Sequence, residues 1–160
     1  MTVVPDTDIR SVAFFTADHA AVENGKAYIS GAFWNQINLP AFPAAVTVAV
    51  VVVLHVPWRA YHQRHSFAVT VVDADGKALP VEFKGEFQVG SAPEMKVGQP
   101  TIIPLAVVAN GMPVERPGDL SFVLSVDGTE IDRWSVLVRQ VAMQGPGSIP
   151  MGPESIPGNP

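Results

Sequence analysis

The chain has 160 residues, 48% of them hydrophobic and only 16% charged, with no cysteine and a formal net charge of −5. Low hydrophobicity and high net charge mark a disordered acidic chain, and this one has neither. The ten Lys and Arg residues are scattered rather than gathered into the basic stripe of a nucleic-acid binder, and without cysteine neither a disulfide framework nor a cysteine-based zinc site can form.

The length suits one domain with a single sizeable core. Residues 1–9 are a lead-in, 10–142 the domain and 143–160 an extended arm. The start, MTVVPDTDIR, has no basic region followed by an apolar stretch, so no signal peptide is expected. Strands are predicted near residues 10–17 and 26–33. Between them DHAAVENGK has room for one helical turn, which Gly25 would end.

Next comes AFPAAVTVAVVVVL, Ala41 to Leu54. Its 14 residues, broken by Pro43, fall short of the roughly 18–20 needed to cross a membrane as a helix. Valine supplies 6 of the last 9 positions, and β-branching favours a strand, predicted over 45–56. Both alternating faces of that strand are apolar: Ala49, Val51 and Val53 on one, Val50, Val52 and Leu54 on the other. A sandwich strand ordinarily buries one face and wets the other. The second face therefore needs cover, from a loop, from the C-terminal arm or from another subunit.

The segment LHVPWRAYHQRH follows. His55, His62 and His65 supply three imidazoles, enough in number for an open zinc site, but no glutamate accompanies the H-x2-H pair and Arg59 and Arg64 crowd it. They are weak metal candidates; no metal, cofactor or catalytic residue is expected. Trp58, Arg59 and Tyr61 belong to the residue types enriched at binding hot spots. The loop that carries them either contacts a partner or plugs the end of the fold with Trp58.

Two hairpins are written plainly in the alternation. In SFAVTVVDADGKALPVEFKGEFQV, Phe67, Val69 and Val71 share one face before the Asp75-Gly76 turn, and Leu79, Val81, Phe83, Phe87 and Val89 share it after. In DLSFVLSVDGTEIDRWSVLV, Leu120, Phe122, Leu124 and Val126 oppose Trp134, Val136 and Val138 across Asp127-Gly128. Period-two alternation with one polar face means antiparallel strands on a core. Asn24-Gly25 and Asn110-Gly111 are further dipeptides that accept positive φ. A strand over 101–108 contains Pro104, which places it at a sheet edge. About eight strands without helical periodicity indicate an all-β, two-sheet antiparallel sandwich of immunoglobulin-like arrangement, with a closed β-barrel as the alternative.

Nucleophile elbows, phosphate loops and dinucleotide fingerprints are missing. D-A-D-G at 73–76 lacks the remaining ligands of a calcium loop and reads as a turn. The last 16 residues, GPGSIPMGPESIPGNP, hold five prolines and four glycines and favour an extended conformation. Their internal repeat places Ile149 and Ile156 seven residues apart; the segment is either a disordered tail or an arm whose two isoleucines anchor on a neighbouring surface.

One set of residues resembles a family: Asp18, the segment Val22-x-Asn24-Gly25-Lys26-x-Tyr28-Ile29-x-Gly31, Trp34, Ile37, Val56-Pro57-Trp58, His65, Asp73-x-Asp75-Gly76, and Pro117-Gly118 leading to Val126-Asp127-Gly128. The pattern is similar to an uncharacterised bacterial family of small single-domain all-β proteins, over about residues 10–140. The resemblance implies domain limits but brings no activity, cofactor or catalytic residue, and His62 falls outside it.

The expected function is a non-enzymatic structural or protein-interaction module, self-associating or docked in a larger assembly through the apolar strand 46–54 and the C-terminal arm. Val51, Val53, Trp58, Arg59, Tyr61, Ile149 and Ile156 are the partner-binding candidates. The alternatives are a small-ligand or metal-binding protein using the His55/His62/His65 loop, and an enzyme with an unrecognised site. The expected partner is protein, with no nucleic acid, no membrane insertion and no small molecule. Synthesis in the cytoplasm is expected, and a virion or other particle is one setting that would suit the module.

Overall fold

A computed structural model describes residues 8–143. Nine strands follow in chain order: β1 (Arg10–Glu23), β2 (Lys26–Ala32), β3 (Gln36–Leu39), β4 (Ala44–Val56), β5 (Arg64–Asp73), β6 (Ala78–Gln88), β7 (Thr101–Val114), β8 (Gly118–Val126) and β9 (Thr129–Gln140). They form a four-stranded sheet in the order β2-β1-β4-β7 and a five-stranded sheet in the order β3-β9-β8-β5-β6. The two pack face to face as an all-β sandwich. Every pairing is antiparallel except β3 with β9, which is parallel.

Both alternating hairpins form where the pattern puts them, β5–β6 and β8–β9. Asp127 and Gly128 turn at φ +49° and +81°, the mirror-image two-residue turn that matches strand twist. Asn24 and Gly25, at +50° and +72°, make the same turn. The helical turn for which residues 18–26 have room does not form: β1 runs straight to Glu23 and pairs with β2. Asn110-Gly111 is no turn at all. It is a bulge in β7, where these two residues face the single Thr47 of β4 and Gly111 takes φ +71°. The strand without a sequence forecast is β3, four residues long and ended by Pro40. Pro104 does lie on an edge strand, β7.

The main core lies between the sheets. From β4 it takes Val48, Val50, Val52, Leu54 and Val56; from the facing sheet come Val69, Val71, Phe122, Leu124, Val136 and Val138, all nearly or wholly buried. Gly85 on β6 is needed here, since a Cβ would run into the Phe67 ring beside it. Thr16, fully buried, links the two layers: Trp134 Nε1 donates to its hydroxyl (3.0 Å), which donates to the Trp34 carbonyl (2.6 Å). A buried hydroxyl satisfied on both sides carries no desolvation penalty to set against the packing around it.

The opposite face of β4 is also covered. Phe15, Ala17, Ala49 and Val51 lie on that face in a second buried cluster that also takes in Ala20, packed with Ala13, Ala32, Val53, Ala106 and, from the facing sheet, Trp134. The four-stranded sheet curls to make this possible, and β7 approaches both β1 and β2 without hydrogen bonding to either. Register explains why it can. Ala32, Ala17, Ala49 and Val108 lie in one row across the four strands, and alanines let the strands close up.

Adjacent residues on β4 thus serve two cores, and truncating either should have the same consequence. Val51→Ala and Val52→Ala are each expected to lose about 2 kcal/mol, from two buried methyl groups plus the cavity left behind. Urea denaturation checks this; a neutral Val51→Ala beside a costly Val52→Ala would mean that the second face is not buried.

Candidate functional site

The histidine segment closes one end of the sandwich. After β4, Pro57 leads into a single 3-10 turn over Trp58–Ala60. Tyr61 is buried, its ring 4.9 Å from that of Trp58, and its hydroxyl donates to the Gln99 carbonyl at 3.0 Å. Trp58 packs on the main core. Of the three proposed contact residues in this loop only Arg59 is exposed, and its carbonyl accepts a bond from the Gln63 amide. Trp58 and Tyr61 act as the plug.

The three histidines go separate ways. His62 is exposed at φ +61° and bonds Ser91 Oγ (3.1 Å). His55 points to the face away from the main core, and its Nδ1 finds no partner among the described residues. His65 is buried between two acceptors, Asp127 Oδ2 at 2.7 Å from Nδ1 and the Ala60 carbonyl at 2.8 Å from Nε2. Among the described residues no three His, Cys, Asp or Glu side chains come together to hold a metal. The D-A-D-G loop is a turn whose carboxylates are already engaged. Asp73 Oδ1 accepts from the backbone N–H of Asp75 and Lys77, and Arg116 bonds both Asp73 and Asp75. The Lys77 N–H, ahead of the opposing effect of burial, holds the Asp73 carboxyl below its ordinary value.

His65 faces acceptors on both ring nitrogens, so only the imidazolium can donate to both. Burial disfavours that charge, but the Asp127 carboxylate and the Ala60 carbonyl outweigh it and the pKa is raised. For Asp127, burial is outweighed in the same way by His65 and the Ser66 N–H, and its pKa is lowered. The pair fastens the β8–β9 turn to the start of β5 and to the end plug.

Sequence reasoning missed the exposed apolar side chains. The β1–β2 hairpin leaves the body of the sheet, since β1 pairs with β4 only as far as Ala17. On or beside it Val22, Tyr28, Ile29 and Phe33 are exposed, four of the ten exposed large hydrophobic residues described. Phe33 is 67% exposed at φ +67°, a conformation rare for an aromatic residue and costing on the order of 1–3 kcal/mol. Its N–H donates to the Thr16 carbonyl (3.0 Å), and its ring lies 4.2 Å from that of Phe15. A two-residue turn at Asn24-Gly25 was the available signal, because it makes β2 the hairpin partner of β1; among the described residues its other side is unpaired. Val51, in contrast, has no exposed surface and Val53 is half-buried. Ile149 and Ile156 lie outside the described residues.

A curled two-sheet β-sandwich with an end plug and a projecting apolar hairpin is the class of protein these features define. The chain belongs to DUF6941, a family of unknown function, which it matches over residues 12–139. No curated protein matches. Among solved structures it is similar to part of a β-glucosidase from Listeria innocua, at 10% identity and a TM-score of 0.43, over 85% of this chain and 16% of that one. The same enzyme with isofagomine gives 11% identity, TM-score 0.43, 85% and 17%. The chain thus spans about a sixth of that enzyme's length, and a likeness this weak carries no argument about function. No helix among the described residues is long and apolar enough to cross a membrane.

The His65–Asp127 pair sets a pH dependence. His65 has its folded pKa raised above the ordinary 6.5, so its contribution is complete below about pH 6.5 and is lost as pH rises through the folded value. Asp127 has its pKa lowered from 3.8, so its contribution is present above about pH 4 and fails only as pH falls through the folded value. The half-exposed carboxylate is screened, which limits the pair to on the order of 1 kcal/mol. Denaturation between pH 6 and 9 should show stability falling. Asp127→Asn, which tolerates the same positive φ and still accepts from Ser66, should flatten that slope; an unchanged slope would mean that another group sets it.

Proposed function

We propose that this chain is a non-enzymatic structural module that works by associating with further copies of itself, within a larger assembly. The observation that carries the reading is the concentration of exposed apolar side chains on and beside one hairpin: Val22, Tyr28, Ile29 and Phe33. Large exposed apolar surface marks association sites; by the strand register Val22 and Ile29 share one face of the hairpin and Tyr28 lies on the other, so apolar side chains flank its outer edge on both faces. The strained backbone of Phe33 adds to it, because strain at an exposed aromatic persists only where the surroundings enforce it. The site sought in the valine strand is thereby moved. Ala49 and Val51 are consumed within the chain, and the hairpin bordering that curl carries exposed apolar side chains instead. Of the plug loop's three proposed contact residues only Arg59 is exposed, and a ligand site built on His65 would have to break two short hydrogen bonds.

Light scattering of the purified full chain over a range of micromolar concentrations tests the reading. A mass rising towards twice the chain's 17.0 kDa is expected. A mass that stays at one chain throughout would overturn it.

A further inference from the structure

Among the described residues four strands lie at sheet edges: β2 and β7 in one sheet, β3 and β6 in the other. An edge strand presents unpaired N–H and C=O groups that invite another strand, and proteins blunt such edges with proline, charge, bulges or brevity. Three of the four are blunted in this way. β7 carries Pro104 and the Asn110-Gly111 bulge. β6 carries Pro80 and the exposed charges Glu82, Lys84 and Glu86. β3 is four residues long. β2, sequence KAYISGA, has no proline and a single charge, on its first residue, and is exposed over Tyr28–Gly31.

The register of the hairpin says which backbone groups are free. Glu23 and Lys26 close a two-residue turn, so they form a hydrogen-bonded pair, and in an antiparallel ladder such pairs alternate. Lys26, Tyr28 and Ser30 therefore direct their N–H and C=O groups to β1, while Ala27 and Ile29 direct theirs outward. Two outward residues flanking Tyr28 make the edge self-complementary about a two-fold axis through Tyr28. Each Ala27 would meet the partner's Ile29 as a hydrogen-bonded pair, giving four main-chain hydrogen bonds. Tyr28 would face the partner's Tyr28 in the closer, non-hydrogen-bonded position, where aromatic pairs stabilise sheets.

Side-chain chemistry agrees with this register on both faces. On one, Val22 lies beside Ala27 and Ala20 beside Ile29. Pairing two copies would align Val22, Ala27, the partner's Ile29 and the partner's Ala20 in one apolar row across four strands. On the other, Lys26 would sit beside the partner's Ser30, so no two like charges are opposed.

We infer that β2 is a docking edge for a second copy of this chain, pairing antiparallel about Tyr28 to join two four-stranded sheets into one of eight. The inference rests on the self-association proposed above and specifies where it occurs. A pairing of five residues a side lies at the small end of stable interfaces, so a dimer of micromolar affinity is expected.

Tyr28 is 54% exposed, so replacing it leaves the core intact, which a thermal melt verifies. Tyr28→Glu puts two carboxylates in contact at the axis and should weaken the dimer about tenfold. Tyr28→Lys should do the same. Mixing the two variants should restore association, because opposite charges then meet. Ala27→Pro, which removes an outward N–H and no bond to β1, should also abolish the dimer. Sedimentation velocity reads all four. A wild-type dimer indifferent to these changes would overturn the β2 assignment while leaving self-association standing. A wild-type monomer would overturn both.

Discussion

The demand that organises this molecule is that strand β4 must be buried on both sides. Valine and alanine fill nearly every position from Val46 to Val53, and each fully buried valine contributes roughly 1.5–3 kcal/mol relative to exposure. A flat sheet packed on one partner could satisfy only Val48, Val50 and Val52. The sheet instead curls, and the row of alanines at positions 17, 32 and 49 is what allows the neighbouring strands to close up. Curling has a further effect. It carries β1 past Ala17 away from β4, so that the β1–β2 hairpin stands at the margin with its outer edge unpaired among the described residues.

Much of this could be read from the residues. The hairpins around Asp75-Gly76 and Asp127-Gly128 announce themselves through alternation, because a half-buried strand must repeat every two residues. Pro104 at an edge follows from its missing donor. The two apolar faces of the valine strand were equally plain. What covers the second face was not, since the answer depends on cross-strand neighbours. No local pattern in AFFTADHA or ISGAFW reveals that Ala17 will stand beside both Ala32 and Ala49.

The same limit explains the misreadings around the site. Asn24-Gly25 looked like the end of a helical turn because DHAAVE has no alternation of its own. The hairpin is imposed by pairing rather than by pattern. His65 looked like one of three equivalent imidazoles, and only the fold brings Asp127, 62 residues away, to fix its charge. Phe33 closes the strand predicted over 26–33, but its positive φ and its contacts with the Thr16 carbonyl and the Phe15 ring have no signal in the local sequence. In each case the missing information was a cross-strand contact, local for the hairpin and distant for His65.

Native-state hydrogen exchange gives the most direct test of two-sided burial. If β4 is the strand on which both cores depend, the amides of Val48 through Val52 should exchange only through global unfolding, at the full unfolding free energy, with no difference between residues facing one core and the other. Exchange of Ala49 and Val51 through a smaller opening that leaves Val50 and Val52 protected would show that the second core is a loose cover, and would contradict the account.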